Sequence, residues 1–326
     1  MARYFRYTLL FLGIAWFVYS CGEEGAGLQF TEQGRDVPEF SAENAYHYIE
    51  TQVNFGPRVP NFEGHREAIQ YFRNHFIEKA GQRNVFIQQF RQEVYGEELQ
   101  MFNVIASFNP EAEDRIVLAA HWDTRPRGEQ DPDHPELPIP GADDGGSGVG
   151  VLMELASVFA DQPPPLGVDI VLFDGEDYGE ESDLDHYFLG SRYWGNNPPV
   201  EGYNPRFGIL LDMVGGENAI FPKEGYSMQF APNLVNEIWS IARQKGYGNL
   251  FVDERGGMVA DDHIIVQRYT GIPMINIIHH TREEGGRVNF PPYWHTQQDD
   301  MDIIDVNTLQ AVGDVLLELI YNRIPT

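Results

Sequence analysis

Short apolar runs alternate with longer segments of helical spacing along most of the chain. Continuous apolar runs between turn residues are typical of strands that are buried on both faces of a sheet. Such runs predict strands at residues 85–90, 102–108, 116–120, 168–173, 207–211 and 272–278. Apolar residues at helical spacing predict helices at residues 42–53, 64–80 and 306–321, and also after Gly148, from Pro232 and after His263. This alternation predicts a single α/β domain with a largely parallel sheet.

Composition and charge narrow the class of protein. Hydrophobic residues make up 42% of the 326 residues, which fits a globular core and excludes a wholly disordered chain. The 50 acidic residues exceed the 22 basic residues and give a net charge of -28. A charge of this sign argues against nucleic acid as a partner and suits an exported protein that attracts cationic peptides.

The N-terminus has the features of an export signal. Arg3 and Arg6 precede an apolar run at residues 8–19, and the small residue Ser20 follows it. The run is short for a membrane span and has the length of a signal-peptide core. Cys21 is the only cysteine in the chain, so it has no partner for an internal disulfide.

Residues 18–21 resemble the lipobox of bacterial lipoproteins, although Tyr19 is larger than the usual residue there. A plain signal peptide would leave the lone cysteine unexplained. We therefore predict a lipidated Cys21, a location in the cell envelope, and contact with the membrane only through this lipid. The predicted division is a lipoprotein signal peptide at residues 1–20, a flexible tether at 21–38 and a catalytic domain at 39–326.

The strand predicted at residues 168–173 leads into a turn that carries adjacent carboxylates. Asp174 and Gly175 give the turn signal, and Glu176 and Asp177 come next. In an open α/β sheet, chemistry takes place beyond the carboxyl ends of the strands. Two adjacent acids there can divide the labour, because one can bind a metal while the other moves protons. Taken alone, this dipeptide would equally fit a solvated acidic turn.

Other acids and imidazoles lie beyond strand ends or in adjoining loops, namely His121, Asp144, Asp212 and His295. Each has an ordinary interpretation, since Asp144 can cap the following helix and a single histidine is more often a core or surface residue. Their convergence on one edge of a sheet favours a dication with nitrogen and oxygen ligands, for which zinc is the commonest choice. The acidic stretch at residues 178–187 is interpreted as an active-site loop or lid, and more readily as a solvated loop than as a second metal site.

An ordered set of short motifs resembles a known family. The motifs are Gly56-Pro57-Arg58, His121-x-Asp123, Gly141-Ala142-x-Asp144, Asp174-Gly175-Glu176-Asp177, Gly190-Ser191-Arg192, Asp212, Asp261-Asp262-His263 and Trp294-His295-Thr296. They look like those of the animal-type zinc-dependent glutaminyl cyclases and their bacterial relatives, within the zinc aminopeptidase superfamily. The resemblance covers roughly residues 42–321. It implies the three-layer α/β/α sandwich of zinc exopeptidases around a mixed, largely parallel sheet.

The resemblance also implies roles for individual residues. Asp144, Asp177 and His295 would bind one zinc ion, and Glu176 would be the general acid/base. Asp212 and Asp261 would hold and orient the amine of the substrate. Trp294 would form part of the wall of the substrate pocket.

Two activities share this set of residues. A two-zinc aminopeptidase would build a second metal site from His121, the bridging Asp144 and Asp212, and would need an activated water. A glutaminyl-peptide cyclotransferase needs none, because the α-amine of an N-terminal glutamine is the nucleophile and one zinc is enough to polarise its side-chain amide. Trp294 directly before His295 favours the cyclase. A binding protein on an inactive peptidase scaffold is a third alternative, disfavoured because the residues needed for catalysis are present.

The sequence departs from the animal enzymes at two positions. Asp177 stands where they have a glutamate ligand, and Asn276 stands where they have a histidine that joins the pocket network. We therefore do not expect the whole proton network to carry over, although His279 or His280 could compensate. The expected partners are peptides with an N-terminal glutamine, and the chain is expected to be a monomer.

Overall fold

The computed structural model describes residues 28–283 and 285–325, so the predicted signal peptide and Cys21 lie outside it. Its strands are β1 (Phe30–Glu32), β2 (Val85–Val94), β3 (Glu97–Phe108), β4 (Arg115–His121), β5 (Gly167–Phe173), β6 (Gly208–Asp212), β7 (Met274–Ile278), β8 (Thr281–Arg282), β9 (Val288–Asn289) and β10 (Arg323–Pro325). Its α-helices are α1 (Ala42–Asn54), α2 (Glu63–Ala80), α3 (Gly146–Asp161), α4 (Leu189–Asn196), α5 (Ser227–Phe230), α6 (Pro232–Gln244), α7 (Asp262–Thr270) and α8 (Val306–Asn322).

The central sheet has six strands in the order β2-β3-β5-β4-β6-β7. Strands β5, β4, β6 and β7 are parallel, whereas β3 is antiparallel to both β5 and β2. This topology confirms the predicted mixed, largely parallel sheet. Because the four parallel strands end at one edge, the segments that follow His121, Phe173, Asp212 and Ile278 all lie near that edge.

Helices cover both faces of the sheet, as strand β4 shows. Its residues Ile116, Leu118 and Ala120 face the core that the sheet forms with α1, α2, α3, α6 and α8. Val117 and Ala119 face the opposite side, where residues of α4 and α7 cover the sheet. Side chains that alternate between two buried faces explain the continuous apolar run in the sequence. The three-layer α/β/α sandwich is confirmed.

Part of the predicted tether is folded onto the domain. Strand β1 pairs antiparallel with β10, and the ring of Phe30 packs edge-on against Phe207 with 6.1 Å between their centroids. The backbone N–H of Gln33 also donates to the carbonyl of Asn322 at 2.8 Å. Residues 30–33 of the segment predicted as a tether (21–38) therefore pack against the domain, and Phe30 buries part of its surface against the core.

Two further elements differ from the sequence prediction. The β2–β3 hairpin extends to Val94 and Glu97, well beyond the predicted residues 85–90 and 102–108. Helix α4 was not predicted at all, because its eight residues are too few to show a helical period. No helix in residues 28–283 and 285–325 has the length and apolar character needed to cross a membrane.

Candidate metal centre and substrate pocket

The turn after β5 is held from several sides. The side-chain oxygen of Asn103 accepts the N–H of Asp174 at 3.1 Å, and the carboxylate of Asp174 accepts the N–H of Phe102 at 2.7 Å. The Nε2 atom of His65 lies 2.8 Å from the same carboxylate. Gly175 has a φ of 67°, which a side chain would disfavour. These contacts fix the direction in which the following two acids leave the turn.

Asp123 fixes the backbone of those two acids. Its Oδ1 accepts the N–H of Glu176 at 3.0 Å, and its Oδ2 accepts the N–H of Asp177 at 3.2 Å. Asp123 lies two residues after the end of β4 and is fully buried. Asp123, which follows β4, therefore positions Glu176 and Asp177, which follow the neighbouring strand β5.

Asp144 is positioned by a similar contact from a distant part of the chain. The carboxylate of Asp299 accepts the N–H of Asp143 at 2.7 Å and that of Asp144 at 3.1 Å. Helix α3 begins after Gly145, which has a φ of 84° and no side chain to cap the helix. The ordinary interpretation of Asp144 as a helix cap is therefore excluded, and its side chain is left for another role.

Asp144, Asp177 and His295 meet beyond the strand ends. The Nε2 atom of His295 lies 3.3 Å from Asp177 Oδ2 and 3.7 Å from Asp144 Oδ2. Both of these carboxylate oxygens are buried and make no hydrogen bond. Buried charged groups without partners are costly, unless a cation lies between them. Two carboxylates and one imidazole form a suitable donor set for zinc, so these residues fit the metal that the sequence predicted.

His121, Asp144 and Asp212 form a second group. The Nε2 atom of His121 lies 3.1 Å from Asp144 Oδ1 and 3.4 Å from Asp212 Oδ1, and it makes no hydrogen bond to either. Within residues 28–283 and 285–325, these are the two groups of three residues that could hold a metal ion, and Asp144 belongs to both. The structure thus brings together every residue that the two-zinc alternative requires.

The first group opens into a cavity of about 190 Å³. Its apolar wall includes Met213, Val259, Ile278, Phe290 and Trp294. Its polar residues are the metal-ligand candidates Asp144, Asp177 and His295 together with Glu176, Asp212 and Asp261. Each site residue predicted within the described chain therefore lies at this one cavity.

Three of the eight non-glycine residues with a positive φ in the described structure line the same cavity. Phe188, Met213 and His295 all line it, and they have φ values of 60°, 48° and 55°. Left-handed conformations are unfavourable for residues with side chains and persist where the surrounding structure enforces them. Such residues are typical of functional sites, because the conformation directs the side chain into the site.

Three carboxyl groups in the cavity have raised pKa values, and burial raises that of Asp212 to about 6. Burial, with the nearby charge of Asp177 second, raises the pKa of Glu176 well above its usual range. Burial and the charge of Asp212 raise the pKa of Asp261 to about 7. Burial that raises the pKa of a carboxyl group in a cleft is typical of residues that take part in proton transfer.

Asn276 takes part in the pocket network after all. Its Nδ2 donates to Asp261 Oδ2 at 2.5 Å, so it binds the residue predicted to hold the substrate amine. His279 Nδ1 instead lies 3.3 Å from the hydroxyl of Tyr293, and His280 Nε2 accepts the N–H of Gly257 at 3.1 Å. In the described part of the chain neither histidine bonds to Asp261, so neither replaces the missing histidine.

The acidic stretch at residues 178–187 borders the cavity without adding a metal site. Leu184 and Tyr187 line the cavity, whereas Glu180 and Glu181 are exposed. Neither metal-ligand group found in the described residues includes an acid from this stretch. The interpretation of this stretch as a solvated loop rather than a second metal site stays a prediction.

Sequence reasoning missed Arg125 and Glu129. Glu129 Oε1 lies 3.1 Å from Nδ1 of His295, and Arg125 Nη1 donates to Asp177 Oδ1 at 3.0 Å. Glu129 lies in a proline-rich loop at residues 126–140, where no periodicity marks a functional position. Arg125 follows the His121-x-Asp123 motif by two residues, and this proximity was the one available signal.

Comparison with known proteins places the chain in a family. Residues 103–320 match the model of peptidase family M28. The chain belongs to peptidase family M28. A glutaminyl-peptide cyclotransferase of Drosophila melanogaster is 27% identical over 241 residues, which cover 67% of this chain. The matched part of the chain spans 64% of that relative's length.

Solved structures show the same architecture. The glutaminyl cyclase of Bacteroides thetaiotaomicron, bound to N-acetylhistamine, is 46% identical with a TM-score of 0.83, covering 88% of this chain and 99% of that chain. A Zn-dependent exopeptidase of Parabacteroides distasonis is 43% identical with a TM-score of 0.84, covering 88% of this chain and 100% of that chain. The predicted resemblance to glutaminyl cyclases and the zinc exopeptidase-like fold are confirmed.

Proposed function

We propose that the protein is a glutaminyl-peptide cyclotransferase that converts an N-terminal glutamine to pyroglutamate and releases ammonia. The observation that carries the proposal is the group Asp144, Asp177 and His295 at one small cavity with Glu176 and Asp261. Similarity to solved glutaminyl cyclases supports the same activity. The substrates are peptides and proteins whose first residue is glutamine.

Asp144, Asp177 and His295 hold one zinc ion, which supplies a Lewis acid to polarise the side-chain carbonyl of the substrate glutamine. Asp261 and Asp212 accept hydrogen bonds from the α-amine and orient it toward that carbonyl. Trp294 and Phe290 enclose the side chain and exclude water, which protects the amide from hydrolysis. Amine and carbonyl belong to one molecule, so orienting them in the cavity removes much of the entropic barrier.

Glu176 moves the proton that the reaction displaces. The α-nitrogen forms a bond to the side-chain carbonyl carbon and gives one proton to the Glu176 carboxylate. The bond from that carbon to the amide nitrogen then breaks, and Glu176 returns the proton to the departing nitrogen, which leaves as ammonia. The raised pKa of Glu176 suits the first transfer, because it makes the carboxylate a stronger base than that of an exposed glutamate.

A second candidate is a two-zinc aminopeptidase, and the group His121, Asp144 and Asp212 is the observation that favours it. One experiment separates the two candidates. The purified protein is incubated with a peptide that begins with glutamine, and the products are weighed by mass spectrometry. Loss of one ammonia from an otherwise intact peptide supports the cyclotransferase. Loss of the whole first residue supports the aminopeptidase, and no change contradicts both.

We also propose that the mature protein is a monomer on the cell envelope, attached by a lipid at Cys21. The lone cysteine after an apolar segment supports the attachment. Cys21→Ser should move the protein from the membrane fraction to the soluble fraction, with Ser20→Ala as the control that retains the cysteine. Unchanged fractionation of Cys21→Ser would contradict the lipid anchor. A mass of two chains in solution would contradict the monomer.

A further inference from the structure

Arg125 connects Asp177, a metal-ligand candidate, to Glu129, whose carboxylate contacts a second candidate, His295. Its guanidinium is completely buried. Nη1 donates to Asp177 Oδ1 at 3.0 Å, and Nε donates to the two oxygens of Glu129 at 3.0 and 2.9 Å. Nη2 also donates to Glu129, which gives the paired geometry of a strong arginine–carboxylate contact.

Glu129 in turn contacts the ring of His295. Its Oε1 lies 3.1 Å from His295 Nδ1. A carboxylate only accepts hydrogen bonds, so Nδ1 must carry the proton and the lone pair must be on Nε2. Nε2 is the nitrogen that faces Asp144 Oδ2 and Asp177 Oδ2. Glu129 therefore selects the tautomer of His295 that can bind a metal at the predicted site.

Arg125 similarly determines which carboxylate oxygen of Asp177 is left to face the metal. It binds Oδ1 of this carboxylate, whereas Oδ2 is buried without a hydrogen bond and faces His295. The same Nη1 also donates to the carbonyls of Asp177 and Gly179, at 2.9 and 2.8 Å. The guanidinium of Arg125 thus holds both the side chain and the backbone of Asp177.

We propose that Arg125 and Glu129 form one positioning pair that presents Nε2 of His295 and Oδ2 of Asp177 to the metal. This inference rests on the proposed zinc site, since the pair acts on two of the three proposed zinc ligands. The pair is also close to electrically neutral, because the charge of Arg125 offsets that of Glu129. The pair therefore orients both ligands without changing the net charge of the site, where two carboxylates would neutralise a dication.

Arg127 provides a matched comparison within the same loop. Its Nη2 donates to the carbonyls of Tyr178 and Gly179, at 3.1 and 2.8 Å. Arg127 thus supports the backbone after Asp177, as Arg125 does. In the described structure it is Arg125, and not Arg127, that reaches the Asp177 carboxylate and Glu129. Arg127→Gln therefore removes support from this backbone without removing a contact to the Asp177 carboxylate or to Glu129.

The test is the zinc affinity of the metal-free protein, measured by competition with a chromophoric chelator and independent of any substrate. Glu129→Ala should weaken zinc binding by about 10- to 100-fold, the range known for residues that orient metal ligands. Glu129→Gln should be weakened less, because its amide oxygen still accepts from Nδ1. Arg125→Gln should weaken binding, whereas Arg127→Gln and the exposed Glu181→Gln should match the wild type.

Structural damage is separated from positioning by two further readouts. The thermal unfolding of each metal-free variant is recorded, and the visible spectrum of the cobalt-substituted protein reports the geometry of the ligands. Weaker affinity with a changed cobalt spectrum, in a variant that unfolds like its control, is the expected result. Equal affinities for Glu129→Ala and Glu181→Gln would overturn the positioning pair while leaving the zinc site intact. A wild-type protein that binds no zinc would instead overturn the proposed function.

Discussion

The rings of Trp294 and His295 are stacked, with 3.6 Å between their centroids and 22° between their planes. Phe290 also lines the cavity, with its centroid 4.6 Å from that of Trp294. Neighbouring residues can stack in this way because His295 has the left-handed φ of 55°. The wall of the substrate cavity and the imidazole of the metal site therefore form one packed unit.

Replacement of Trp294 tests this unit. Trp294→Ala should reduce kcat/KM about 10-fold or more, because loss of roughly 1.4 kcal/mol of aromatic contact corresponds to a factor of ten. Trp294→Phe keeps a ring against His295 and should lose less. Both variants should retain zinc, as measured by elemental analysis. Equal kinetics for Trp294→Ala and the wild type would show that the wall contributes nothing to substrate binding.

Glu176→Gln tests the proposed proton transfer. The amide has nearly the shape of the carboxyl group but cannot carry the proton, so turnover should fall by about 10²- to 10⁴-fold. Zinc content should not change, because Glu176 is not among the metal-ligand candidates. The control is Glu180→Gln, an exposed acid in the following stretch at residues 178–187, which should have wild-type kinetics. Full activity of Glu176→Gln would remove this residue from the mechanism.

The number of metal ions is tested at the two histidines. One zinc per chain is expected in the wild type and in His121→Asn, and none in His295→Asn, because the proposed site uses His295 and omits His121. The measurement is the zinc-to-protein ratio after dialysis against trace zinc. Two ions in the wild type and one in His121→Asn would establish the second site and support the aminopeptidase.

Glu224 belongs to neither metal-ligand group and is expected to make the stability of the fold depend on pH. Its carboxylate accepts the N–H groups of Tyr226, Ser227 and Val259 at 2.8, 2.6 and 3.0 Å. Although burial raises its pKa, the close approach of His263 Nε2 to Glu224 Oε2, at 3.3 Å, followed by hydrogen bonds from Ser227, lowers it to about 2. A lowered pKa means that the stabilisation is present above the usual value of 4.5 and is lost as the pH falls toward 2.

Glu224→Gln should therefore reduce the free energy of unfolding near pH 7 by about 2–3 kcal/mol. The difference between variant and wild type should shrink as the pH falls through this range. Urea unfolding at a series of pH values measures it, with the exposed Glu254→Gln as control. A difference that stays constant with pH would contradict the assigned role of the Glu224 charge.

The fold and the proposed ligands were predictable because they follow local rules. Strands β4, β5 and β6 are buried on both faces, so their apolar runs are continuous and their ends are sharp. Asp212 is the last residue of β6, and Asp177 lies in the turn that follows β5. Parallel strands end at one edge, so residues far apart in sequence, such as His121 and Asp212, were expected to meet there.

The contacts that orient the ligands were not predictable in this way. Glu129 lies in a loop whose path no period describes, and it reaches His295 across 166 positions of the sequence. Asp299 likewise binds the backbone of Asp144 over a separation of 155 positions. Such contacts depend on the folded course of loops rather than on propensity or spacing. Helix α4 was missed for a different reason, since its short length leaves no recognisable pattern.

The most direct test of the central claim is to run the reaction in water enriched with heavy oxygen, using a peptide that begins with glutamine. A cyclotransferase uses the amine of the substrate as nucleophile, so the product should lack one ammonia and carry no heavy oxygen. A peptidase or an amidase uses water, so the heavy isotope would appear in released glutamine or in a new side-chain carboxylate. An ammonia-depleted peptide free of the label is the predicted result, and a labelled product would contradict the account.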